Sequence, residues 1–313
     1  MWAHSMAISE LATGDALHHH QLMARATRAS LGMAIALLLL KLLAWYSSNA
    51  VAMLASAVDS GLDALASGVT LVVVRWSLQP ADHEHRFGHG KLEPLAGLAQ
   101  GALVLTSAVA LMRTAIDRVV HPAPVEAGWL GLAVMAVASV ATLALLRYQK
   151  KVVAETGSTA IRGDSLHYAT DLAMNAAVAL AMVASWGVGW LWVDPVLGLV
   201  VAVLAGRSAM QIGWEAIQLL IDRELPEADR KHIDEVVNRH PEVLGMHDLR
   251  TRRSGLKRFV QFHLELSGDM SLREAHRIGD EIEREVCALL AGAEVIVHFD
   301  PMPEHDGRHP REQ

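Results

Sequence analysis

Six stretches of this chain are long and apolar enough to cross a lipid bilayer. A membrane-spanning helix needs about 20 mostly apolar residues, and such stretches lie at roughly 28–47, 51–75, 94–117, 127–147, 164–187 and 194–221. The mean hydropathy of +0.27, with 19% charged residues, is typical of a chain that is part membrane and part soluble. The sequence therefore predicts an α-helical membrane protein with six transmembrane helices.

After Arg223 the composition becomes that of a soluble domain. Apolar residues recur at helical spacing in 226–240 and 271–290, whereas 258–266 alternates and 293–300 has the composition of a short strand. The predicted apolar faces hold Ile233, Val236, Val237, Leu272, Ile278, Ile282, Val286 and Leu289 in the helices, and Val260, Phe262, Leu264 and Leu266 in the first strand. This pattern predicts a small α+β domain.

These segments divide the chain into four parts. We expect an N-terminal cytoplasmic tail at 1–24, a six-span domain at 25–222, a cytoplasmic domain at 223–303 and a C-terminal tail at 304–313. The first part has no apolar core long enough for a cleavable signal peptide. Its histidines, His18, His19 and His20, suit either a metal-attracting tail or an unstructured polar N-terminus, and the second interpretation is favoured.

Basic residues in the short loops set the expected orientation. Arg86 and Lys91 follow the second span, and four more basic residues lie between the fourth and fifth, whereas the opposite loops offer only Arg118. Positively charged loops stay on the cytoplasmic side. Both termini are therefore expected in the cytoplasm.

The remaining composition narrows the possible functions. A net charge of −7 gives no reason to expect nucleic-acid binding, and the single cysteine, Cys287, excludes a disulfide framework or a cysteine-rich metal site. With 17 histidines in the chain, metal chemistry would use imidazole and carboxylate ligands.

Two spans carry ionisable pairs at the same spacing. Asp59 and Asp63 in the second span, and His167 and Asp171 in the fifth, are each four residues apart, so each pair shares one helix face. With a rise of 1.5 Å per residue, both pairs fall roughly 12–21 Å below the outer face of the membrane. Intramembrane ionisable residues indicate function by default.

Three carboxylates and one imidazole at one level predict a metal site. The acids would repel one another or take up protons unless a cation sat among them. Four O and N ligands suit tetrahedral Zn²⁺, with Cd²⁺, Fe²⁺, Co²⁺ or Mn²⁺ as competitors. The alternative is that each group is satisfied separately, by Lys41, Asn175 or a backbone carbonyl. We assign Lys41 no role.

Several motifs resemble those of one transporter family. VDSGLDALAS, SLQPADHEHRFGHGKLEPLA, RGDSLHYATD, HDLRTRRSG and VHFDP occur in that order, and by them the chain resembles the cation diffusion facilitators. The resemblance implies a homodimer of six-span protomers in the bacterial inner membrane, each with a ferredoxin-like, metallochaperone-like cytoplasmic domain. It also implies export of a divalent metal, most often Zn²⁺, in exchange for protons by alternating access.

The resemblance also implies site residues. The transport site would comprise Asp59, Asp63, His167 and Asp171, with Leu166 as a hydrophobic gate, and a loop site would comprise Asp82, His85 and His89. A cytoplasmic site between protomers, with a structural or regulatory role, would comprise His247, His263, His276, His298 and Asp300. Lys91 and Asp222 would form a charge pair at the hinge. Phe299 stands where relatives carry a polar residue, but it lies on the strand face of Val295 and Val297. We expect it to alter packing and to leave metal binding intact.

A second class of function stays open beside the transporter. A membrane sensor or scaffold would bind zinc without moving it, and would need only the soluble sites. An enzyme is not expected, since a membrane metalloprotease would need an HExxH motif, which is missing from the sequence.

Overall fold

The computed structural model describes residues 2–48, 51–121, 129–188, 190, 192–290 and 293–302. The chain divides into two compact units, one holding residues 18–220 and the other holding residues 1–17 together with the chain from Ile221 onward. The predicted C-terminal tail, 304–313, lies outside the described residues.

The first unit is built from long apolar helices. They are α1 Trp2–Ser48, α2 Val51–Ser77, α3 Leu92–Val120, α4 Trp129–Thr156, α5 Thr159–Val188 and α6 Val193–Leu220. Within the part of the chain that the structure describes, each of the six contains a segment long and apolar enough to cross a membrane. The predicted number of spans is confirmed.

The N-terminal segment differs from its prediction. Residues 2–24 were expected to be unstructured, but α1 begins at Trp2 and continues without a break into the first span. No proline or glycine cluster interrupts 2–24, so nothing in the local sequence ends the helix there.

Close packing of α3 against α5 fixes the position of the helix that carries His167. A Cβ added at Gly97 would lie 2.9 Å from the Thr159 carbonyl oxygen, and one at Gly163 would lie 2.8 Å from the Gln100 Cβ. Glu93 of α3 is buried, and its carboxylate accepts a hydrogen bond from the Thr159 backbone N–H at 2.7 Å. This carboxylate satisfies a donor that the first turn of α5 would otherwise leave unpaired.

The second unit combines two helices with one three-stranded sheet. Its elements are α7 Glu227–Val237, β1 Gly245–Ser254, β2 Lys257–Ser267, α8 Leu272–Leu289 and β3 Ala293–Met302. The sheet order is β1-β2-β3, with β1 antiparallel and β3 parallel to β2. The parallel pair requires a crossover, which α8 provides.

The core of the second unit follows the predicted pattern with two exceptions. The α7 residues, the four alternating residues of β2, and Ile278, Ile282 and Val286 of α8 are all buried. Leu272 and Leu289, expected on the same face of α8, are 79% and 42% exposed. They are the first and last residues of the helix, where it extends past the core.

Strand β1 was not predicted from the sequence. GMHDLRTRRS has mostly polar residues with no clean alternation. The register shifts between His247 and Arg250, and Asp248 has φ 49°. A bulge of this kind at a sheet edge interrupts the two-residue period on which strand prediction depends.

Phe299 packs as its strand position predicts. Its ring is partly buried against the core, and Leu264 is its register partner on β2. The ring lies so close to α8 that a Cβ added at Gly279 would come within 2.5 Å of the Phe299 Cζ. Glycine at 279 therefore makes room for the phenylalanine.

Replacing Gly279 by alanine should destabilise the second unit by about 1–3 kcal/mol, because overpacking forces side chains or backbone to shift. Chemical denaturation of the purified chain, followed through loss of helix signal, would measure this. Glu283→Ala, at an exposed position of the same helix, is the control and should leave the free energy of unfolding unchanged. Equal stability of Gly279→Ala and wild type would show that the ring can move away freely.

Candidate metal centre

A cavity of about 410 Å³ lies among α1, α2, α4 and α5. Its walls are mainly apolar, but several ionisable and polar side chains line it: Lys41, Asp59, Ser60, Asp63, Asp171 and Asn175. Since α2 and α5 carry the acidic residues, the two spans singled out by the sequence do meet around one space.

Three predicted ligands converge at this cavity. The His167 Nε2 lies 2.9 Å from the Asp63 Oδ1 and 3.6 Å from the Asp171 Oδ2. One ligand atom from each residue falls within 4.8 Å of the others. Ligands about 2.0–2.2 Å from a tetrahedral zinc ion would be about 3.3–3.6 Å apart, so one ion can contact all three atoms after small rotamer changes.

Asp59 has a different position from the other three. It lines the same cavity one turn along α2 from Asp63, but its side chain is exposed and lies outside the three-residue cluster. Its role as a fourth ligand stays a prediction. Lys41, considered as a partner for the acids, donates instead to the Ser60 Oγ at 2.6 Å.

Leu166 precedes His167 and packs on the other side of α5. It contacts a buried cluster of α3 and α6 that holds Val104, Ala108, Ala205 and Ala209. The position is compatible with a hydrophobic gate, and that role stays a prediction.

The loop between α2 and α3 brings together the second predicted set. The Asp82 carboxylate lies 3.2 Å from the His85 Nδ1 and 3.4 Å from the His89 Nε2. Backbone N–H donation from His85 and Glu84 to Asp82 lowers the pKa of that carboxyl below its ordinary value. The buried His89 Nδ1 has no hydrogen-bond partner among the described residues. An ionised carboxylate beside two imidazoles fits a divalent metal.

Sheet register aligns three histidines of the second unit in one row. His247 of β1 is paired with His263 of β2, which is paired with His298 of β3. Asp300, two residues beyond His298, lies between them: its carboxylate is 2.9 Å from the His263 Nδ1 and 3.2 Å from the His247 Nε2. His298 contacts the same carboxylate at 3.2 Å.

The electrostatics of this row favour an ionised acid. Burial raises the pKa of Asp300, but hydrogen bonding from His263 and the neighbouring imidazoles together hold it below its ordinary value. The cluster therefore offers a carboxylate and two or three imidazole nitrogens, a donor set suited to zinc.

His276 is the one predicted ligand of this group that the structure places elsewhere. It is exposed on α8 and lies 3.1 Å from Asp280, one turn along the same helix. Two acidic neighbours that we had not singled out lie at the row instead. Glu265 approaches His247 to 3.1 Å, and Asp248 approaches His263 to 3.8 Å. Glu265 could have been found from its spacing, since it is two residues from His263 and so shares its strand face.

The predicted hinge residues belong to different units. The Lys91 Nζ donates to the Leu219 carbonyl at 2.6 Å, which joins the start of α3 to the end of α6. Asp222 lies 3.4 Å from Arg252. The Lys91–Asp222 pair stays a prediction.

Comparisons with known proteins follow the same division of the chain. Residues 27–221 match the family model described as the cation efflux transmembrane domain. Residues 225–302 match the model described as the cation efflux protein cytoplasmic domain.

Curated relatives are similar over almost the whole length. The chain is 48% identical over 277 residues to the cation-efflux pump FieF of Shewanella oneidensis, covering 88% of this chain and 93% of the relative. It is 45% identical over 281 residues to FieF of Klebsiella pneumoniae, covering 90% and 93%. Among solved structures, the metal-bound C-terminal domain of the CzcD transporter from Thermotoga maritima is 28% identical, with a TM-score of 0.24, over 26% of this chain and all of that domain.

Proposed function

Because this chain belongs to the cation efflux family, the cation diffusion facilitators, we propose that it exports Zn²⁺ from the cytoplasm in exchange for protons. As a cation efflux transporter it needs a metal-binding position within the membrane and access to that position from each side in turn.

The observation that carries this proposal is the intramembrane cluster. Asp63, His167 and Asp171 come from two spans, and two of them line a cavity of about 410 Å³. Acidic groups in a bilayer are costly and persist where they serve an ion path. A scaffold that bound zinc only through its soluble residues would have no use for this cluster.

Proton coupling follows from the chemistry of the ligands. Carboxylate and imidazole bind metal only when they are deprotonated, so metal entry releases protons and returning protons release metal. The same O and N donors accept Fe²⁺, Cd²⁺, Co²⁺ or Mn²⁺. Zn²⁺ is the preferred substrate because it is the common metal for mixed imidazole and carboxylate sites.

The remaining clusters have a structural or regulatory role in this proposal. The row formed by His247, His263, His298 and Asp300 would hold zinc in the cytoplasmic domain, and the loop set at Asp82 would hold a further ion. A homodimer in the bacterial inner membrane, with both termini in the cytoplasm, accommodates these sites. The match to a cytoplasmic domain model over 225–302 and the six apolar helices support that arrangement.

The test is metal uptake by sealed proteoliposomes containing the full chain and a zinc-sensitive dye. Zinc should enter when an outward proton gradient is imposed, and the internal pH should change at the same time. Zinc entry at the same rate with and without the proton gradient would contradict antiport. A protein that binds zinc with no flux in either condition would favour the sensor or scaffold.

A further inference from the structure

A further carboxyl group within the spans, Asp164, lies one turn before His167 on α5 and belongs to none of the sites above. It is only 2% exposed. The Ser30 Oγ donates to it at 2.5 Å, the Gln149 Nε2 at 2.7 Å, and the Ser67 Oγ at 3.4 Å. These donors come from α1, α4 and α2, so one side chain of α5 is bonded to three other helices.

Tyr168 extends the same set of bonds. Its hydroxyl lies 3.2 Å from the Ser67 Oγ and donates to the Ser30 backbone carbonyl at 3.2 Å. The Ser30 and Ser67 hydroxyls are themselves 3.2 Å apart. Ser30, Ser67, Gln149, Asp164 and Tyr168 are together called the Asp164 network.

The Asp164 network lies at one end of the metal cavity on all four helices. At this end the cavity is lined by Ala34 on α1, Asp63 on α2, Thr142 on α4 and Tyr168 on α5, the last of which belongs to the network itself. Ser30, Ser67 and Asp164 each lie four residues beyond them, about 6 Å along the helix axis, and Gln149 lies seven beyond. The cavity therefore ends at the Asp164 network, and Tyr168 borders both.

Apolar packing completes the closure at this level. Tyr168 is buried with Leu145 and Leu146 of α4, and Met33 of α1 packs against the same cluster. With the termini in the cytoplasm, the closed end is the cytoplasmic end. Metal arriving from the cytoplasm cannot reach His167 unless the helices separate here.

Separation would be costly because a buried acidic group would lose its hydrogen bonds to three other helices. The partners of Asp164 among the described side chains are hydroxyls and an amide, and leaving a buried polar group without its partners incurs its full desolvation penalty. In a membrane a carboxylate that loses its donors finds no water to replace them until the path opens. Asp164 thus favours the state in which its four helices are joined.

We propose that Asp164 is a positioning residue that latches the cytoplasmic side of the transport site by holding α1, α2 and α4 to α5. The inference rests on the proposed function, since it assigns the latch to the inward-opening step of that transport cycle. The residue does not touch metal, and its effect is on which side of the membrane the ligands face.

The test measures access from each side with cysteine reporters in the full-length protein. Cys287, the single cysteine, is first replaced by serine. Val74→Cys then reports on the closed side, since Val74 is fully buried and lies two turns beyond Ser67 on the same face of α2. Met174→Cys reports on the cavity, which Met174 lines. Labelling by a hydrophilic maleimide is followed in detergent without zinc, so both sides are open to the reagent.

Asp164→Asn keeps the size of the side chain but replaces one of its two acceptor oxygens by an NH₂ group, which cannot accept the hydrogen bonds that this oxygen accepts. We expect labelling of Val74→Cys to rise about tenfold or more, as the loss of a buried hydrogen bond permits, while labelling of Met174→Cys falls or stays constant. Ser139→Ala is the matched control: it removes the α4–α5 hydrogen bond from Asn175 on the cavity side and should leave labelling of Val74→Cys unchanged.

Two results would overturn the latch. In folded Asp164→Asn protein, unchanged labelling of Val74→Cys would show that Asp164 does not close this side. An equal rise at both reporters would show general loosening of the bundle. If Asp164→Asn does not purify as a folded protein, Ser30→Ala takes its place, because it removes the shortest hydrogen bond to Asp164. Labelling of Val74→Cys and Met174→Cys then tests the latch by the same two criteria. Zinc flux of the wild type is measured separately, so a failure of transport is distinguishable from a failure of the latch.

Discussion

Replacing Asp171 by alanine should abolish zinc transport while leaving the protein folded. Asp171 is one of the three residues whose ligand atoms converge at the cavity, and its loss leaves the ion with two ligands from the cluster. Changes that only reorient a ligand already reduce metal affinity about 10–100-fold, so removal of a ligand should cost at least about 100-fold in zinc flux. Asp63→Ala should have an effect of the same size. Flux into proteoliposomes under a proton gradient measures both.

The control for these variants is a carboxylate on another helix. Asp117 lies exposed near the end of α3, 3.4 Å from His121, and Asp117→Asn should transport at the wild-type rate.

Asp59→Ala is informative in a different way. Because Asp59 lies in the cavity but outside the three-residue cluster, a loss as complete as that of Asp171→Ala would establish it as a fourth ligand. Wild-type flux in Asp171→Ala would refute the proposed transport site.

The second large effect is expected at His263. Its imidazole stands in the middle of the histidine row and contacts Asp300 at 2.9 Å. Zinc bound to the folded domain at 100 times its dissociation constant would stabilise that domain by about 2.7 kcal/mol. His263→Ala should remove most of this zinc-dependent stabilisation, which thermal unfolding of the purified chain with and without zinc would reveal.

Two histidines serve as comparisons for His263→Ala. His232 is exposed on α7, whereas the row lies on the three strands, and His232→Ala should keep the full response to zinc. His276→Ala should have a small effect if the site is formed within one chain. An effect as large as that of His263→Ala would instead indicate that His276 completes the site on a partner protomer. If the unfolding temperature of the wild type were the same with and without zinc, metal binding at the row would be contradicted.

The membrane half of the fold was predictable because its signals are local. An apolar stretch of about 20 residues is read directly from sequence. Asp59 and Asp63 are four residues apart, as are His167 and Asp171, and helix geometry places each pair on one face. Asp164 was missed for a related reason. It lies at the predicted start of the fifth span, where an acidic residue is ordinary, and only the positions of Ser30, Ser67 and Gln149 show that it is buried.

The soluble half was predictable where the period was regular. Strand β2 alternates and α8 has a continuous apolar stripe, so both were found, whereas β1 has a register shift at His247 and was not. Family resemblance pointed to His276 as a ligand, but spacing along the chain says nothing of the distance between α8 and the row within one chain. That distance depends on how the helix packs on the sheet.

The histidine row also bears on the exposed edge of the sheet. Strand β1 is at the edge of the sheet that the described residues form, and its ladder with β2 is interrupted just after His247. An edge strand is where another chain can pair with a sheet. A metal ion held by His247, His263 and Asp300 would join all three strands beside that interruption. The ion would then act as a cross-link, and its removal would leave β1 as the first strand to exchange its amide hydrogens and the first to pair wrongly.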